Sequence, residues 1–169
     1  KLIVCDIDNT LIPHGSETLS ERNRKALQKA IANGYEVYIN TGRHYTFLQP
    51  TLFDDLPMDL IGTINGACLV RRDGSIIEKH PLPTSYMEQI IDFVQKNDIG
   101  LGFKFADRVV TYHNHQKFVN GYVNGDPVKA KLILDDTQNR THHLDYGNPL
   151  GTFLVGDEEV IKPFRKEVL

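Results

Sequence analysis

The chain has 169 residues, of which 40% are hydrophobic and 24% charged, with a formal net charge of −3. That is enough apolar material for a packed core, and the slight acidic balance, with no long run of one sign, argues against nucleic acid as a partner. Two cysteines, Cys5 and Cys68, do not make a disulfide framework, and no apolar run is long enough to span a membrane, so the expected setting is cytoplasmic with both thiols reduced and buried.

Leu2, Ile3, Val4 and Cys5 open the chain as a short continuous apolar run, the pattern of a parallel strand covered on both faces by helices. Asp6 and Asp8 stand at its carboxyl end. Two residues apart on an extended chain share a face, and a pair of carboxylates on one face needs something cationic to compensate it. In open α/β sheets, ligands collect outside the carboxyl ends of the strands, so the position as well as the residue type points to chemistry. One carboxylate as nucleophile and the other as general acid and base, with Mg²⁺ screening their repulsion and neutralising a phosphate, is the reaction this pair suits best.

From Ser20 to Asn33 the spacing of Leu27, Ala30 and Ile31 predicts a helix, capped by Ser20 and stopped by Gly34. Tyr35 to Ile39 is the next strand and delivers Thr41 to the same edge as Asp6. A second helix is expected over roughly Tyr45 to Phe53, with Pro50 weakening its middle. Leu60 to Ile64 is a third strand, and Ala67–Val70 and Ser75–Ile77 flank Asp73-Gly74 as a hairpin. Pro81 and Pro83 mark a linker, which divides the chain into residues 1–80 and 81–169. Beyond it, Met87, Ile90, Ile91 and Val94 recur at helical spacing over Thr84 to Asn97, and Leu101, Phe103 and Phe105 alternate as in a strand. Val109–Tyr112, Lys131–Leu134 and Thr152–Val155 are further strands, and Glu158–Val168 a closing helix. Interleaved elements of this kind suit an α+β domain whose core holds Phe103, Phe105 and Tyr112. The pairs His113/His115 and His142/His143 lack a third ligand at convincing spacing, so zinc is not expected. His14 follows the acidic pair and is expected in solvent.

The stretch Asp6-Ile7-Asp8-Asn9-Thr10-Leu11 resembles the first motif of the haloacid dehalogenase-like hydrolases, and Ile39-Asn40-Thr41-Gly42-Arg43 resembles their second. Asn65-Gly66-Ala67 is similar to a turn of the Cof-type branch, which carries a large cap of the C2 kind. The resemblance implies an α/β fold: a Rossmann-like parallel-sheet core, incomplete in this chain, in residues 1–80, and an α+β C2-type cap lying over the site in residues 81–169. It further implies a Mg²⁺-dependent phosphatase acting on a small phosphorylated metabolite, a phosphomonoester such as a sugar phosphate or nucleotide. Asp6 would attack phosphorus, and Asp8 would protonate the leaving oxygen and then activate water. Asp6 and Asp8 would hold the metal, the latter through its main-chain carbonyl, and Thr10 would brace the loop. Thr41 and Gly42 would bind the phosphate, with Arg43, Asn65 and Gly66 at the entrance.

Two departures from the family pattern stand out. Asn9 replaces a common Gly, and Asn is among the side chains that best tolerate left-handed backbone angles. The Lys of the third motif and the acidic ligands of the fourth are not found, and Gly156-Asp157-Glu158-Glu159 only imitates the latter. The chain is therefore expected to be part of a longer protein. A phosphomutase and a catalytically incompetent ligand-binding module are the alternative readings.

Overall fold

Strand alternation at the start of the chain sets up everything near the site. In the computed structural model, which describes residues 1–168, β1 (Leu2–Cys5) pairs in parallel with β2 (Glu36–Asn40), and β2 pairs in parallel with β3 (Leu60–Thr63). Parallel neighbours need a crossover, and α1 (Glu21–Ala32) supplies the first. The helix starts where Ser20 Oγ accepts the Asn23 amide, and it buries Leu27. β4 (Cys68–Arg71) and β5 (Ile76–Lys79) then run antiparallel, giving the sheet order β1-β2-β3-β4-β5.

The register puts Ile39, Ile61, Cys68 and Val70 on one buried face of this sheet. The opposite face departs from expectation: Leu2 and Val4 are 61% and 55% exposed, and Leu60 is exposed beside them. Among the described residues this face lies open at interior β3 as well as at edge strand β1, so the continuous apolar run that reads as doubly covered is covered on one side. Cys5 is correspondingly half-buried instead of fully buried, though burial still pushes its thiol pKa up.

Between β2 and β3 the expected single helix is absent. Two 3-10 turns, Tyr45–Phe47 and Pro50–Phe53, take its place, because proline cannot donate to an α-helical ladder in mid-segment. The strand expected over Ser75–Ile77 runs instead from Ile76 to Lys79.

The chain divides into two compact units, Lys1–Lys79 and His80–Leu169. In the second, α2 (Thr84–Gln95) precedes a sheet of order β8-β7-β6-β9, built from β6 (Gly100–Lys104), β7 (Val109–His113), β8 (Ile133–Asp135) and β9 (Gly151–Val155). Met87, Ile90 and Val94 of α2 pack on Leu101, Phe103, Phe105, Val110 and Tyr112, the three aromatics being wholly buried. α6 (Glu158–Val168) joins the same layer, with Phe164 stacked on Phe93 at 3.9 Å. Burial pushes the Tyr112 hydroxyl up to about 12, and its oxygen accepts the His143 amide.

Three short helices were not legible in the sequence: α3 (His115–Tyr122), α4 (Pro127–Ala130) and α5 (His142–Tyr146). Each is too brief for a 3.6-residue period to show, and α3 and α4 start at side-chain caps, Asn114 and Asp126, the latter before Pro127. No helix among the described residues is long and apolar enough to cross a membrane.

Candidate active site

The acidic pair lies just past the last residue of β1, in a tight loop. Ile7 is its pivot. This side chain is wholly buried, while Asp6 and Asp8 on either side are exposed, so the alternation begun in the strand carries through the turn. The Ile7 carbonyl accepts the amides of Thr10, Leu11 and Ile12 at 3.3, 3.0 and 2.9 Å, folding the chain back on itself. Asn9 takes φ 60°, the left-handed angle that an Asn in place of Gly was expected to tolerate. Asp6 Oδ1 accepts the Ile7 amide at 2.7 Å, which orients that carboxylate along the loop.

Thr41 stands at the carboxyl end of β2, the parallel neighbour of β1, and is buried. Its amide donates to the Gly62 carbonyl, continuing the ladder into β3, and its own carbonyl accepts the Asn65 amide at 2.8 Å. The Thr41 hydroxyl oxygen accepts the Arg43 amide at 3.2 Å, which leaves its proton able to donate elsewhere. Asn65 lies directly against Gly42: a Cβ on residue 42 would sit 3.0 Å from Asn65 Oδ1. Asn65 itself is held at φ 56° in a 3-10 turn. Thr41, Gly42, Arg43 and Asn65 thus converge through backbone bonds made by two adjacent strand ends.

Arg43 links this group to the acidic loop. Its Nε donates to Asp8 Oδ2 and its Nη2 to Asp8 Oδ1, while Nη1 reaches the Phe47 carbonyl at 3.4 Å. The bond to Asp8 holds the guanidinium even more firmly in its charged form, burial opposing it. Arg43, expected at the entrance, thus contacts an acid of the motif in this structure.

Of the other residues singled out in the sequence, His14 is exposed and Gly66 follows Asn65 with φ 90°. Asp157 lies in the second unit and accepts the Glu159 amide at the start of α6, a helix-capping role. A further residue contacts the acidic loop without being singled out by the sequence. Asn23, in the first turn of α1, donates from its side chain to the carbonyls of Thr10 and Leu11. The available signal was an Asn three residues after a Ser cap, where a Glu or Gln would complete a capping box.

The Asp6 carboxylate and the Asp8 main-chain carbonyl offer an oxygen-only donor set, the chemistry that suits Mg²⁺ or another hard divalent ion, while Arg43 takes both carboxylate oxygens of Asp8. The set is partial: among the described residues no group of three or more His, Cys, Asp or Glu is gathered as a metal site. The residues present fit such an ion as contributors to its shell.

The family model for haloacid dehalogenase-like hydrolases matches residues 3–168. The 5-amino-6-(5-phospho-D-ribitylamino)uracil phosphatase YcsE of Bacillus subtilis (strain 168) is 24% identical over 159 residues, covering 88% of this chain and 62% of that protein. The pyridoxal phosphate phosphatase YbhA of Escherichia coli (strain K12) is 28% identical over 116 residues, covering 68% of this chain and 42% of its own length. Among solved structures, the phosphatase BT1666 from Bacteroides thetaiotaomicron superposes with a TM-score of 0.77 at 22% identity, over 99% of this chain and 60% of that one. The chain thus spans less than two thirds of each of these relatives.

Proposed function

The chain belongs to the haloacid dehalogenase-like hydrolase family, and we propose that the protein is a cytoplasmic Mg²⁺-dependent phosphatase that hydrolyses a small phosphomonoester through an aspartyl-phosphate on Asp6. The observation that carries the reading is the placement of Asp6 and Asp8 past the end of β1 beside Thr41 past the end of β2, two parallel neighbours. Relatives named as phosphatases of a phosphorylated ribitylaminouracil and of pyridoxal phosphate support a small phosphorylated metabolite as substrate.

In this scheme an Asp6 oxygen attacks phosphorus as the bond to the leaving oxygen breaks, and Asp8 gives that oxygen its proton. Asp8 then takes a proton from water, the water oxygen attacks phosphorus, and the bond to Asp6 breaks to free inorganic phosphate. The Thr41 hydroxyl and the Gly42 amide hold the phosphate oxygens, and Asn65 flanks Gly42 at the rim. A bound Mg²⁺, held by the Asp6 carboxylate and Asp8, would neutralise charge on the phosphate.

Residues 1–80 would form the first part of the hydrolase core and residues 81–169 a cap that selects the leaving group. The exposed apolar face carrying Leu2, Val4 and Leu60 supports further core sequence in the whole protein, which would bring the missing Lys and acidic metal ligands.

The test is phosphate release from p-nitrophenyl phosphate by the full-length protein with Mg²⁺, beside Asp6→Asn. Turnover in the parent and none in a folded Asp6→Asn is the expected result. Activity near the parent level in the variant removes Asp6 as nucleophile, and a requirement for a bisphosphate activator would make the enzyme a mutase.

A further inference from the structure

We propose that Asn23 is a positioning residue for the acidic loop: its side-chain amide straps the loop to α1 and thereby fixes where Asp8 stands. The inference rests on the phosphatase reading for its catalytic consequence, but the strap itself is a matter of geometry.

Asn23 Nδ2 donates to the Thr10 carbonyl and to the Leu11 carbonyl, each at 3.0 Å. These carbonyls belong to the segment whose amides close on the Ile7 carbonyl, so one side of the turn is tied by Ile7 and the other by Asn23. The amide of Asn23 is meanwhile taken by Ser20 Oγ at 3.1 Å, which locks the residue in the first turn of the helix. Both ends of the strap are thereby anchored: the helix buries Leu27, and the loop buries Ile7, Leu11 and Ile12. Asp8 sits between the two tie points and also bridges to Ile12 as an isolated β-contact.

The residue type carries the argument further. Asn is a poorer helix former than Ala, Glu or Gln, so an Asn inside α1 is a cost to the helix that the loop contact offsets. At this third helical position, Glu or Gln would reach back to the cap residue, whereas the shorter amide turns across to a neighbouring segment. Two roles then predict opposite signs. If Asn23 served only the helix, Ala would improve it by propensity and Asp would improve it through the helix dipole. If it straps the loop, Ala loses both donors, and Asp, of the same shape, sets an anion against two carbonyl oxygens.

The experiment compares Asn23→Ala and Asn23→Asp in the full-length protein. The readouts are kcat and KM with p-nitrophenyl phosphate, thermal stability, and amide hydrogen exchange at Leu11 and Ile12. The expected order of kcat is parent, then Asn23→Ala, then Asn23→Asp, with the last reduced about tenfold or more at unchanged KM. Exchange at Leu11 and Ile12 should quicken in the same order while α1 keeps its protection. Parent-like exchange in Asn23→Asp overturns the strap whatever the enzyme does. Quickened exchange with kcat within twofold of an active parent also overturns the proposal, as a strap that does not position Asp8. A parent with no phosphatase activity but with the exchange order intact sinks the catalytic reading alone and supports the strap.

Discussion

Arg43 grips Asp8 through both carboxylate oxygens, Nε to Oδ2 at 2.9 Å and Nη2 to Oδ1 at 2.7 Å. A fork of this kind sets the plane of the carboxylate, which a single ammonium cannot do. If Asp8 is the proton donor and acceptor, that orientation matters to both half-reactions. Arg43→Lys should keep the charge, lose the fork and lower kcat about tenfold, and Asp8→Ala should cost more, of order 10²-fold or above. Steady-state kinetics at neutral pH measures both, and an Arg43→Lys enzyme with parental kcat would leave the clamp without a role.

Ion identity gives a second expectation. A site built from a few oxygens at one strand edge suits the compact octahedral shell of Mg²⁺, whereas Ca²⁺ seeks more ligands at longer and looser distances. Replacing Mg²⁺ by Ca²⁺ should therefore inhibit phosphate release. Equal turnover with the two ions argues against the proposed metal role of Asp6 and Asp8.

In the second unit, Gly102 is required by contact with α3. A Cβ at this position would fall within the Phe118 ring, and Phe118 is itself wholly buried. Gly102→Ala should destabilise the unit by about 1–3 kcal/mol through overpacking. Thermal melts decide the matter, and an unchanged midpoint would mean that α3 can shift without cost.

Asp107 provides a pH test of the same unit. Its Oδ1 lies 2.9 Å from His142 Nε2, and Oδ2 accepts from Arg108. Burial pushes the Asp107 carboxyl up, but the hydrogen bond and charge of His142 and the hydrogen bond from Arg108 outweigh it and hold the carboxyl below its ordinary value. A pKa lower in the folded chain than in the unfolded one contributes stability that is complete above the ordinary carboxylate range. That contribution fades as pH falls through the folded value. Asp107→Asn should therefore melt earlier than the parent at neutral pH and lose less on acidification below about pH 5. Parallel melting curves for the two proteins across that range would dismiss the pair as a source of acid sensitivity.

The sequence alone determined the parts that local physics controls. The apolar run before Asp6, the Ser20 cap, the helical spacing of Met87, Ile90 and Val94, and the left-handed tolerance of Asn9 all act over a few residues, and each has its counterpart in the structure. The order Asp6…Thr41…Asn65 could be read along the chain as well, because parallel strands deliver their carboxyl ends to one edge. Only tertiary structure decided the rest. That Arg43 meets Asp8, 35 residues away, and that Asn23 straps Thr10 and Leu11 depend on how β2 and α1 pack beside the loop, which no sequence period encodes. Exposure of Leu2 and Val4 likewise depends on which elements cover that face of the sheet, and Leu60 on the interior strand β3 shares it. Helices as short as α4, capped by Asp126, and α5, whose first amides meet Asp136, gain their stability from such contacts and from packing more than from propensity, so they take shape only when the surrounding chain is in place.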